Sequence, residues 1–90
     1  MNTDQADQIL NLSPQAKKSA FDLIQQKCLK GAIWTSIDVR HDFIVWFFND
    51  NTFVELMVIR DFEDNNEPVY VAVTHCVDYK IDHVDRYSVI

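Results

Sequence analysis

The chain's only glycine, Gly31, divides two hydrophobic periodicities that cannot belong to the same kind of element, and this division constrains the fold more than any other feature. Before it, "LSPQAKKSAFDLIQQKCLKG" carries helix punctuation at both ends. Ser13 can accept from the first free amides, Pro14 suits the first helical position, and Gly31 can close the helix in a left-handed conformation. A helix over about 13–30 is predicted, with Ala16, Ala20, Phe21, Ile24 and Cys28 on its apolar stripe and Leu23 on the flank. Lys27 and Lys30 fall where the helix dipole is negative. Residues 1–12 are read as frayed or as a short helical turn.

After Gly31 the spacing becomes that of strands rich in β-branched and aromatic residues, predicted over about 32–39, 42–49, 52–61, 68–78 and 81–89. "NDNT" at 49–52 and "EDNNEP" at 63–68 are hairpin turns by composition, and a tighter bend falls at Val39 to Asp42. Such short connections imply an antiparallel meander. The predicted fold is therefore α+β: one N-terminal amphipathic helix packed on a four- to five-stranded antiparallel meander sheet, in a single domain spanning 1–90.

One helix covers only one face of a sheet, yet "FIVWFF" and "FVELMVI" are apolar on both faces. The second face must be closed by curling of the sheet, by a second copy of the chain or by another protein. An interface is favoured over curling and the chain is expected to form a homodimer: Trp34, Ile44, Trp46 and Phe48 are the candidates for that partner-binding or homodimer face, because tryptophans suit interface anchors.

With 90 residues the chain buries only about 60% of its unfolded surface, too little for two cores and unfavourable for a deep catalytic cleft. The formal net charge is −6 and lies mostly in the last third, where residues 61–90 hold seven acids against two bases. An acidic surface forfeits the counterion release that drives nucleic-acid binding, so direct nucleic-acid contact is not expected and a basic protein partner is. Asp61, Glu63, Asp64 and Glu67 in one turn region, with Asp78, Asp82 and Asp85, are the candidates for that acidic contact surface. The opening "MNTDQADQILNLS" reads as neither signal nor transit peptide, and no apolar run is long enough to span a bilayer, so the expected location is the cytoplasm.

The segment "THCVDYKIDHVDRY", Thr74 to Tyr87, crowds two histidines, a cysteine and three aspartates. In one continuous strand His75 and His83 would stand ~26 Å apart, with Cys76 pointing to the opposite face from His75, so no shared metal site is expected. The aspartates are read as charges guarding an edge strand. Cys28 and Cys76, without CxxC spacing, are read as buried free thiols. A single glycine allows no phosphate-cradling loop, and no nucleophile elbow, calcium-loop or zinc-ribbon pattern occurs, so neither a cofactor nor catalysis is expected.

In size, acidity and helix-then-meander order the chain resembles the small proteins carried on phages and mobile elements, among them immunity proteins and inhibitors of host nucleases. The resemblance is one of outline, carried by no motif, and transfers no functional residue. It implies a non-enzymatic module that regulates or inhibits a basic partner. The alternative is a small-molecule-binding or catalytic domain with a pocket between helix and sheet, lined by Tyr70, His75, Cys76 and Tyr79.

Overall fold

In the computed structural model, which describes residues 3–89, two helices pack on one face of a five-stranded antiparallel sheet that stays open rather than closing into a barrel. The elements run α1 (Thr3–Leu12), α2 (Pro14–Leu29), β1 (Trp34–Val39), β2 (Phe43–Phe48), β3 (Thr52–Asp61), β4 (Glu67–Val77) and β5 (Lys80–Ser88). Each strand pairs with its neighbour in sequence, so β1 and β5 form the two edges and β3 the middle. The α+β meander is thus the architecture expected, with a fifth strand present.

The expectation of one helix is corrected. The segment read as frayed or as a short helical turn is a full helix from residue 3 to Leu12, residues 1 and 2 lying outside the described residues. Its apolar side chains explain this: Ile9 is buried, and Ala6, Leu10 and Leu12 pack against the same core. Only Ser13 separates the helices, and as N-cap of α2 its hydroxyl accepts from the Ala16 amide at 3.3 Å. The other end of α2 closes as a Schellman turn. Gly31, at φ +97°, donates to the Cys28 carbonyl at 3.1 Å, and Ala32 donates to that of Lys27 at 3.0 Å. An added Cβ on Gly31 would meet nothing within 4 Å, so its conformation, rather than crowding, calls for glycine.

The apolar stripe of α2 is rotated from the one expected. Ala16 and Ala20 are buried and Leu23 and Ile24 partly so, but Cys28 is exposed and Lys27 takes the inward place one turn beyond Leu23. Of the two cysteines only Cys76 is buried. Phe21 lies at the margin and meets Trp46 edge-on, with ring centroids 6.1 Å apart.

Beneath the helices Ile44, Trp46 and Phe48 of β2, Val54, Leu56 and Val58 of β3, and Val71 and Val73 of β4 form the core. This corrects the expected faces: Ile44, Trp46 and Phe48 are covered by this chain's own helices and offer nothing to a partner. Trp34 is half exposed at the start of β1, where a bulge between Trp34 and Ser36 breaks the register and its indole donates to the Ser36 carbonyl at 2.9 Å. No helix among the described residues is long and apolar enough to cross a membrane.

Candidate functional site

Two features outside the core bear on function: a polar cleft at the end of α2 and the uncovered face of the sheet. The cleft, of about 440 Å³, lies between the last turn of α2, the β2–β3 turn and His75 on β4. Lys27 crosses it with its side chain only 13% exposed, its ammonium 5.1 Å from the centre of the Phe48 ring. Lys27 Nζ donates to Asp50 Oδ2 at 3.4 Å and to His75 Nε2 at 3.3 Å. An ammonium can only donate, so His75 accepts at Nε2 and carries its proton on Nδ1, which reaches Asp82 Oδ2 at 3.1 Å. Asp50 is held in turn by the hydroxyl and the amide of Thr52. The Thr52 hydroxyl, aided by Lys27, pulls the Asp50 carboxyl below its ordinary value against the opposing effect of desolvation.

The chain Asp82, His75, Lys27, Asp50 is a closed polar clasp. Both ring nitrogens of His75 are engaged within the chain. The ammonium already fills the place a bound cation would take, and the C-terminal end of α2 disfavours an anion. The clasp fastens α2 to β4, β5 and the β2–β3 turn. Its acid dependence follows from Asp50, whose folded pKa is depressed. The stability this gives is complete above the ordinary aspartate value of 3.8 and is lost as pH falls through the lower folded value. Asp50→Asn should therefore lower stability by up to about 1 kcal/mol at neutral pH, a difference that closes in acid when urea midpoints are compared across pH.

The histidine geometry corrects the expected separation. Asp78 and Tyr79, at φ 51° and 65°, form a two-residue turn that folds the segment back on itself, so His83 lies directly opposite His75. A bulge after His75 frees Asp82 to reach it, while His83 bonds Asp85 at 2.8 Å. No group of three or more histidine, cysteine or acidic side chains among the described residues could hold a metal.

The acidic candidates do not form one surface. Asp61, Glu63, Asp64 and Glu67 surround the β3–β4 turn, with Asp61 paired opposite Glu67. Asp78 and Asp82 lie at the far end of β4, whose length puts the two groups roughly 30 Å apart. Asp82 and Asp85 are engaged by histidines, on the edge strand that the charge pattern anticipated. The alternative pocket lining is also dispersed. Only His75 lines the cleft, Tyr70 and Cys76 are on the other face of the sheet, and Tyr79 stands in the turn, almost fully exposed.

That other face is the larger feature. Phe43, Val45 and Phe47 on β2, Phe53, Glu55, Met57 and Ile59 on β3, and Tyr70, Ala72, Thr74 and Cys76 on β4 alternate with the core positions and so point away from both helices. Val45, Ala72, Thr74 and Cys76 are buried even so, because taller neighbours shade them; Phe47 and Phe53 close one flank with centroids 5.7 Å apart. Phe47 remains 36% exposed. At the middle of this surface burial pushes the Glu55 carboxyl up from its ordinary value, and burial, with the nearby Glu55 charge, pushes the Cys76 thiol up. Sequence reasoning missed Glu55, although a lone charge in the apolar run "FVELMVI" is a visible signal.

No protein-family description matches this chain, and neither a curated protein nor a solved structure shows significant similarity to it.

Proposed function

We propose that this protein is a non-enzymatic binding module that takes a basic partner protein on the open face of its sheet, and through that contact regulates or inhibits the partner. The observation that carries the reading is the apolar surface of β2, β3 and β4 facing away from both helices. Contiguous apolar surface of this extent on a small protein marks a docking site. The whole five-stranded face, with strands about 4.8 Å apart and about eight residues at 3.3 Å in each, projects roughly 600 Å², of which β2, β3 and β4 supply about 400 Å². Side-chain relief brings the whole face close to the ~800 Å² each partner contributes to a standard interface.

Charge selects the partner. At −6 with a pI near 4.7, two copies repel one another during encounter whereas a basic protein is drawn in. The clasp, by contrast, has its polar groups engaged within the chain.

The test is capture from extracts of the source cells by immobilised wild-type protein and by Phe47→Asp, followed by affinity measurement on the purified captured protein. Phe47 is on the open face, so the variant should keep its circular dichroism and a cooperative thermal melt while affinity falls about 100-fold or more, and wild-type affinity should weaken with added salt. Equal affinity of the two forms for every captured protein would overturn the reading, as would a wild-type protein that runs as a stable dimer sealed through Phe47.

A further inference from the structure

We infer that Glu55 is the specificity determinant of the open face, the carboxylate that receives an arginine or lysine projecting from an otherwise apolar patch of the partner. The inference rests on the docking reading above and adds the chemistry of the occupant.

Glu55 stands on the middle strand, opposite Val45 on β2 and Thr74 on β4, with Phe53 and Met57 beside it on its own strand. Charge elsewhere on this face lies toward the flanks: Asp38 is opposite Val45 on edge strand β1, and Arg86, on edge strand β5, is held over the Tyr70 ring at 5.5 Å. Among the described residues no hydrogen bond or ion pair reaches the Glu55 carboxylate, and the titratable side chain it influences is Cys76 on β4. For folding alone this is a poor residue. A valine or threonine would suit the strand better and would not hold a carboxylate half out of water. A local rule broken without an internal compensation is expected at functional sites.

Docking sharpens the requirement. An apolar partner closing over this face would strip the remaining water from Glu55, a penalty that a cation placed on it offsets without protonating the carboxylate. Guanidinium is the best match, because its fork engages both carboxylate oxygens and it is weakly hydrated. A second copy of the chain does the reverse. Packing two faces about a two-fold axis near β3 brings Glu55 toward Glu55, and such a pair needs at least one proton. The two occupants thus differ in the sign of their pH dependence. A cationic partner binds more tightly as pH rises through the titration of Glu55, and self-pairing tightens as pH falls through it.

Selection of a displayed random-peptide library on the wild-type protein, with parallel selections on Glu55→Gln, Glu55→Lys and Phe47→Asp, tests this directly. Wild type should enrich peptides with one arginine or lysine flanked by apolar residues. Glu55→Gln should bind those peptides about 30-fold or more weakly and without pH dependence, and Glu55→Lys should enrich an acidic residue at the same position. Folding is not at issue for Glu55→Gln, since the amide removes a desolvated charge; unchanged circular dichroism checks it. Wild-type peptides that bind Glu55→Gln equally well, or bind more tightly in acid, overturn the assignment of Glu55 while leaving the docking face in place if Phe47→Asp still abolishes them. Peptides indifferent to Phe47→Asp, or no enrichment at all, remove the docking face and the assignment together.

Discussion

Trp46→Ala should cost about 3–5 kcal/mol of stability, enough to bring a domain of this size close to unfolding, whereas Phe47→Ala, one residue along the same strand, should cost less than about 1 kcal/mol. The contrast follows from strand alternation. Trp46 is 5% exposed beneath α2, with Phe21 edge-on against its indole, and its removal leaves a void that the helices cannot collapse into without losing contacts on both sides. Phe47 points the other way, where truncation gives surface back to water and opens no cavity. Urea unfolding of the two variants measures the difference. Equal costs would mean that the faces of β2 are not divided between core and docking surface, and the functional reading would fall with the division.

Lys27→Ala should lower stability by about 1–3 kcal/mol, and Lys27→Met should recover part of that loss. The alanine variant removes the stem lying along Phe48, leaves His75 Nε2 without its donor and takes a hydrogen bond from Asp50. Methionine restores the apolar stem but not the donor, so the gap between the two variants separates packing from the polar clasp. Thermal melts read both, and hydrogen exchange at the C-terminal turn of α2 should show local loosening in each. An alanine variant as stable as wild type would show that the clasp contributes nothing.

Much of the fold was legible in the sequence because its signals are local. Ser13–Pro14 and Gly31 mark the ends of α2, and the asparagine-rich turns at 49–52 and 63–68 mark two hairpins whose strands fall within a residue or two of the expected places. The last of the four hairpins was less legible. Asp78 and Tyr79 turn the chain with positive φ and without glycine or asparagine, so although a break falls between the strands expected at 68–78 and 81–89, nothing in the sequence marks it as a tight turn, and the distance from His75 to His83 is then reckoned along a continuous strand. The facial assignments failed for a different reason. Alternation shows that two faces exist, but tertiary packing decides which one the helices cover. With "FIVWFF" apolar on both sides, the tryptophan in it looked like an interface anchor and is a core residue. Lys27 was hidden by its charge, since a lysine on a helix reads as solvent-facing until its stem and its two partners are seen together. Of the site, Glu55 was visible only as an anomaly, and its central position comes from the register with Val45 and Thr74.

The strictly sequential pairing of the sheet also bears on how the chain reaches its folded state. No strand waits for a segment far along the chain, so each hairpin closes a short loop and the entropic penalty of ring closure stays small at every step. The ten paired positions of β3 and β4 make that hairpin the natural first nucleus, onto which β2 and β5 add from either side. The helices come first in sequence but pack across β2, β3 and β4, so their docking site is complete only when those strands have paired. In any state where the sheet has formed and the helices have not docked, Trp46 and its neighbours would be as exposed as Phe47, and both faces of the sheet would be adhesive.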